Sequence, residues 1–189
     1  PSNTETFGLI QEELQHNLYH LIVQAILWNQ TRGKQARPIL NKILSLYPTP
    51  GKLAYADESF LTDILSPIGL HKQRAKRLIA MAQEWQRVPP KPNQLFKARA
   101  PGYESGSDPA NPGWEIAHLP GVGPYALDSF RIFHRDQLLG LSKGWQADPN
   151  QDAAFEPEWK RVVPLDKDLR AFLRWAWQKE GYEWDPLTG

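Results

Sequence analysis

Apolar side chains recur at three- and four-residue spacing along most of the chain, the period of helices buried on one face. Leu9, Ile10 and Leu14 predict a short helix, and Leu18, Leu21, Ile22, Ala25 and Ile26 a long one ending near Asn29. A polar break from Gln30 to Gly33 follows. Ile39, Leu40, Ile43 and Leu44 predict a second amphipathic helix from about Lys34 to Tyr47, stopped by Pro48 and Pro50. Smaller helices are expected at about Gly51 to Ala56 and Ser59 to Leu65. After a tight turn at Ser66 to Leu70, His71 to Arg87 reads as a basic helix with Leu78, Ile79 and Met81 inward. Trp114 to His118 and Pro124 to His134 read as a helical pair around a Gly-rich turn. A last helix follows Pro164, with Leu169, Phe172, Leu173 and Ala176 on one face. Residues 88 to 112 and 140 to 158 lack a period and read as insertions. No strand-like alternation or repeat stands out, so the fold class is all-α.

With 189 residues and 41% apolar content, the chain can bury a sizeable core or form two small helical lobes sharing a cleft, and the second is expected. Its apolar runs are too short or too interrupted to span a bilayer, and no signal peptide is visible. The chain opens on Pro1, as an excised domain or processed fragment would. The absence of cysteine excludes disulfides, thiolate zinc sites and cysteine-held iron–sulfur clusters, and five scattered histidines argue against a metal centre. Neither a metal nor a cofactor is expected.

The net charge of +1 hides a partition. Residues 1 to 31 carry three acids and no bases, and residues 101 to 189 carry 9 Lys+Arg against 14 Asp+Glu. Residues 32 to 100 carry 13 Lys+Arg against 4 Asp+Glu, a block of +9. Part of that block would serve as an ordinary solvated helix face, but it is also what steering toward a phosphate backbone requires.

The run Leu119-Pro120-Gly121-Val122-Gly123 before Pro124 has the grammar of a turn that grips phosphate with its own backbone. Glycines allow the tight turn, and Pro124 lacks an N–H that the first helical position does not need. Main-chain amides at a helix N-terminus favour an anion, and nothing in the run reads a base. An ordinary interhelical turn would look similar. Farther on, Val163-Pro164-Leu165-Asp166 places a carboxylate at the threshold of the last helix, within reach of the helix dipole and of free main-chain amides. An N-cap is the plain reading of that aspartate.

Together, the Gly-rich hairpin and the downstream aspartate resemble the helix-hairpin-helix DNA glycosylase superfamily. The resemblance extends over Leu9 to Lys34, Pro67 to Lys76, Gly121 to Phe133 and Pro164 to Trp177. It is sharpest in Gln11-Glu12, Asp128 to Phe133 and Trp175-Ala176-Trp177, which are similar to the mismatch-specific thymine/uracil branch found in methyl-CpG-binding proteins. The resemblance implies a two-lobed fold, with lobe 1 at about 30–118, lobe 2 from about 1–29 plus 119–189, and a cleft between them. It implies a DNA glycosylase of base excision repair that removes thymine or uracil from opposite guanine, with oxidised 5-substituted uracils left open as further substrates. It further implies a monomer acting on double-stranded DNA in the nucleus. A monovalent or structural cation at the hairpin is left open.

On the family pattern Asp166 is the catalytic carboxylate. Tyr125 stands where relatives with strand-cleaving activity carry a lysine, so hydrolysis without lyase activity is expected. Gln11 and Tyr125 match base-pocket positions, although Gln11 would otherwise be an exposed helix glutamine. An enzyme of this kind must rotate its target nucleotide outward and fill the gap. Gln30 and Leu70 are the candidates for that wedge. Gln30 departs from the thymine branch, which has arginine there, and Leu70 would alternatively pack on the core as a hydrophobic staple. Arg32, Lys34, Lys72, Arg74, Lys76 and Lys167 are expected DNA-backbone contacts, with Lys167 alternatively facing solvent. A DNA-binding module without catalysis, or a glycosylase for another base, would carry the same hairpin.

Overall fold

Helix boundaries follow the chain's capping chemistry. The computed structural model describes residues 5–100, 103 and 113–189. Its α-helices are α1 (Ile10–Leu14), α2 (Leu18–Trp28), α3 (Gly33–Leu46), α4 (Pro50–Ala54), α5 (Glu58–Leu65), α6 (His71–Arg87), α7 (Pro124–Phe133), α8 (Arg135–Leu138) and α9 (Lys167–Lys179). Single 3₁₀ turns occur at Ser66–Ile68 and Glu158–Arg161. Among the described residues there is no strand, and Phe96 and Trp114 make one isolated antiparallel bridge. No described helix is long and apolar enough to cross a membrane.

Before α1, the Glu12 carboxylate accepts from the amides of Phe7, Gly8 and Leu9, satisfying donors that a helix start leaves over. Thr49 and Asp57 cap α4 and α5 through the amides of Lys52 and Phe60. The chain divides into two compact units, 1–21 with 127–189 and 22–126. Their bounds fall inside α2 and α7. The Leu119–Gly123 turn thus falls in the same unit as the basic stretch.

In the first unit α9 buries Leu169, Phe172, Leu173, Trp175 and Ala176. Phe172 is the hub, with ring centroids 4.8 Å from Phe133, 5.0 Å from Trp145, 5.6 Å from Trp175 and 5.9 Å from Phe7. Trp145, in the aperiodic 140 to 158 stretch, is therefore a packing residue, and its amide donates to Gln15 Oε1. The other end of that stretch is tied by charge. Glu158 accepts from Arg131 at 2.7 Å and pairs with Arg135 at 3.3 Å, while its amide donates to Asp136. Burial raises the pKa of Asp136 above its ordinary value.

The second unit packs α4 and α5 on α6, whose Ala75, Leu78, Met81 and Ala82 are buried. Two expectations change here. Residues 114–118 form turns, not a helix: Trp114 exchanges both backbone bonds with Phe96, and its carbonyl also accepts from the Ala117 amide at 3.3 Å, the spacing of a turn rather than an α-helical ladder. Pro120 then ends a segment already too short to propagate. The 88 to 112 insertion is aperiodic over residues 88–100, and its later part lies mostly outside the described residues. His118, buried, stacks on Phe96 and its Nε2 lies 2.8 Å from the Val88 carbonyl.

His134 yields a test. Burial lowers its pKa below the ordinary 6.5, outweighing the bond between its Nδ1 and the Gln15 carbonyl oxygen, which acts in the other direction. A depressed base stabilises the fold above its unfolded value, and that contribution is lost as pH falls through the folded value. Asp136, with a raised value, contributes with the opposite sign. Thermal denaturation between about pH 7 and 5 is expected to show a larger fall in midpoint for the wild-type chain than for His134→Gln. Parallel curves would assign the acid sensitivity elsewhere.

Candidate nucleic-acid interface and catalytic carboxylate

The Gly-rich turn is built where a side chain would not fit. Leu119 is buried and anchors it, and the Val122 amide donates to the Leu119 carbonyl at 3.2 Å. Gly121 has φ +86°, and a Cβ there would lie 2.8 Å from Arg77 Cγ and 3.0 Å from Ile26 Cδ1. Around Gly123 there is open space. Pro120 and Val122 are half-buried, and Pro124 occupies the first position of α7. The turn thus leads directly into a helix N-terminus, the geometry in which main-chain dipoles attract an anion.

Two other tips lie in the same unit. Gln30 follows α2 with φ 58°, and Leu70 precedes α6 with φ 48°. Both are exposed, Leu70 by 49%, so Leu70 is not the core-packed staple that the sequence also allowed. The residue linking them is Arg74. Its placement bears on the expected backbone contact: it is only 5% exposed, and its guanidinium donates to the carbonyls of Ile68, Gly69 and Asn29 and to Thr31 Oγ1. A planar fork engaged in this way has little left for phosphate.

Lys72 and Lys76 are exposed on α6, and Arg32 and Lys34 are exposed at the start of α3. The first turns of α3 and α6 contain no acid. Cations at helix N-termini oppose the dipole, a cost that a bound anion would relieve.

Tyr125, half-buried in the first turn of α7, accepts a hydrogen bond from Gln24 Nε2 at 3.0 Å. Gln24 is fully buried, and its Oε1 has no hydrogen-bond partner among the described residues. Sequence reasoning missed Gln24. The only signal was a polar residue in the otherwise apolar run Leu21 to Leu27. Gln11, in the first unit, is buried rather than solvent-facing, and its Nε2 lies 3.5 Å from Ser129 Oγ.

Asp166 is the N-cap of α9. Its Oδ1 accepts from the amides of Asp168 and Leu169, each at 2.9 Å. Both bonds end on one oxygen, so the cap orients the carboxylate without occupying Oδ2. Arg170 Nε donates to the Pro164 carbonyl and fixes the approach to the helix. Lys167 is exposed beside it. Thus Gln11, Asp166 and Lys167 belong to the first unit, and the hairpin, Tyr125, Gln30, Leu70, Arg32, Lys34, Lys72, Arg74 and Lys76 to the second. Among the described residues no cluster of His, Asp or Glu could hold a metal ion.

Comparisons with known proteins bear on this arrangement. Residues 23–180 match the family model described as HhH-GPD superfamily base excision DNA repair protein. The chain is 27% identical over 164 residues to a thymine-DNA glycosylase of Aeropyrum pernix, covering 79% of this chain and 66% of that protein. It is 26% identical over 164 residues to a thymine/uracil-DNA glycosylase of Pyrobaculum aerophilum, covering 79% and 64%. A methyl-CpG-binding domain protein 4-like protein of Arabidopsis thaliana is 25% identical over 127 residues, 67% of this chain and 23% of that one. The chain spans less than two thirds of each relative's length. A solved structure of a thermostable thymine-DNA glycosylase shares the fold, with TM-score 0.51, 19% identity, and coverage of 73% of this chain and 54% of that chain.

The two glycines of the turn are expected to respond differently to alanine. Gly121→Ala should cost about 1–2 kcal/mol, from the left-handed backbone and the close approach to Arg77 and Ile26, as read by chemical denaturation. Gly123→Ala should change stability by less than about 1 kcal/mol. Equal losses would mean that the turn is not held as described.

Proposed function

The chain belongs to the HhH-GPD superfamily of base excision DNA repair proteins, and we propose that it is a monofunctional DNA glycosylase that hydrolyses the N-glycosidic bond of thymine or uracil opposite guanine. The observation that carries this reading is the Asp166 carboxylate, fixed through Oδ1 by two main-chain amides with Oδ2 left over. The printed names of the relatives, thymine-DNA and thymine/uracil-DNA glycosylases, support the choice of base. The basic second unit and its Gly-rich turn support duplex DNA as the partner.

In the proposed reaction the C1′–N bond breaks with its electron pair leaving on the base, whose ring carbonyls absorb the charge. The sugar passes through an oxocarbenium-like state, and a fixed anion beside C1′ stabilises the developing positive charge. Asp166 orients a water whose oxygen bonds to C1′, and takes the proton that this water releases. The departed base anion is protonated from solvent and Asp166 returns its proton to solvent, so the products are free base and an abasic site. Tyr125 has no amine to form a Schiff base, so the strand stays intact. Tyr125 and Gln11 are the proposed contacts to the edge of the extruded pyrimidine, with Gln24 donating to the Tyr125 hydroxyl. Gln30 and Leu70 fill the vacated stack.

Single-turnover base release from G·U and G·T duplexes tests the assignment. Asp166→Asn should lower the rate by about 10²- to 10⁴-fold while keeping duplex affinity and the thermal midpoint, since asparagine also caps helices. Borohydride should trap no covalent enzyme–DNA adduct with the wild-type chain. Turnover by Asp166→Asn equal to wild type would overturn the mechanism. Release of a different base from a panel of modified duplexes would overturn the substrate, and salt-sensitive binding without any release would leave a DNA-binding module.

A further inference from the structure

We propose that Arg74 is a positioning residue which locks the Gln30 and Leu70 tips into a single preformed wedge, an inference that rests on the glycosylase reading above. Its basis is the coincidence of three observations in the second unit. Gln30 and Leu70 are exposed residues held in left-handed backbone, at φ 58° and φ 48°. A residue with a β-carbon keeps that conformation only where its surroundings over-determine it. One buried guanidinium supplies the over-determination for both.

Arg74 Nη2 bonds Asn29 O and Thr31 Oγ1, the two residues flanking Gln30. Its Nη1 bonds Ile68 O at 2.7 Å and Gly69 O at 2.6 Å, the two residues leading into Leu70. The Arg74 amide also donates to Leu70 O. The tips come from segments forty residues apart in sequence, about 40 by position, and would otherwise be set independently. A guanidinium is planar, so four acceptors on one fork fix the spacing and orientation of both segments at once. The desolvation of a buried cation is offset by these carbonyl dipoles, which also explains why so basic a cluster hides one of its charges.

Rigidity at this place has a specific use. Extruding a nucleotide costs stacking and pairing, and filler side chains offset that loss best if they need not be ordered at the same moment. A wedge preset by Arg74 carries its ordering cost in the folding of the free protein. Lysine could supply the charge but not the planar four-point attachment.

The test measures extrusion separately from chemistry and from backbone binding. In the Asp166→Asn background, a 2-aminopurine next to the target uracil of a G·U duplex reports opening of the stack. Thr31→Val, which deletes one acceptor and leaves every charge in place, and Arg74→Lys should each lower the equilibrium constant for extrusion by about 10-fold. Affinity for an undamaged duplex, and its salt dependence, should remain at the parent value. In a Gln30→Ala, Leu70→Ala background the same changes should have no further effect on extrusion. Additive losses in that background, or an extrusion signal untouched by both variants, would overturn the proposal. A salt slope reduced by about one in Arg74→Met, together with a normal extrusion signal, would restore Arg74 to phosphate contact. Because the signal needs no bond cleavage, failure of the wild-type chain to release a base would refute the catalytic reading alone, while the extrusion measurements would still decide the role of Arg74.

Discussion

The fixed start of α9 is the constraint on which the proposed chemistry depends. A carboxylate stabilises a developing cation effectively only if it is in place beforehand, because a mobile one must be reoriented and desolvated during the reaction. Here two agents hold it. Amides of the first helical turn grip Asp166 Oδ1, and three residues on from Leu169 the ring of Phe172 is enclosed by Phe7, Phe133, Trp145 and Trp175. The aromatic cluster immobilises the helix, and the helix immobilises the carboxylate. Packing and chemistry are thereby linked through one turn of backbone.

The second unit applies the same device to a different end. Its turn at Gly121 to Gly123 offers main chain rather than side chains, and its tips at Gln30 and Leu70 are set by an arginine whose charge is consumed internally. Such a surface suits a partner recognised by its backbone and its deformability rather than by base edges. Charge is distributed accordingly. The +9 stretch from 32 to 100 lies wholly in this unit, whereas Asp166 lies in the other, where acids outnumber bases.

Much of this was legible in the sequence, for physical reasons. α2, α3, α6 and α9 are long and periodic, and each has a polar or proline boundary, so their existence followed from spacing. Asp166 was readable because an aspartate after Val-Pro-Leu can hardly avoid capping the helix that follows. Residues 114–118 misled because their spacing is helical, while the decisive partner, Phe96, is distant in sequence. Trp145 was hidden for a similar reason: nothing local distinguishes a tryptophan in an aperiodic stretch from one that completes a core. Arg74 is the most instructive case. Composition assigns it to a basic cluster, and only the placement of four acceptors around its guanidinium reveals an inward-facing role. Gln24 stood out in an apolar run, but without Tyr125 beside it there was no reason to choose it over a tolerated core amide.

The central claim is that the side chain at position 166 faces the sugar of an extruded pyrimidine nucleotide. A crystal structure of the Asp166→Asn chain bound to a duplex containing a G·U mismatch tests it most directly. The account predicts the uridine outside the stack, its C1′ in van der Waals contact with the residue 166 side chain, and Gln30 and Leu70 in the space it left. A bound duplex whose uridine remains stacked, or is extruded toward a place remote from residue 166, would contradict it.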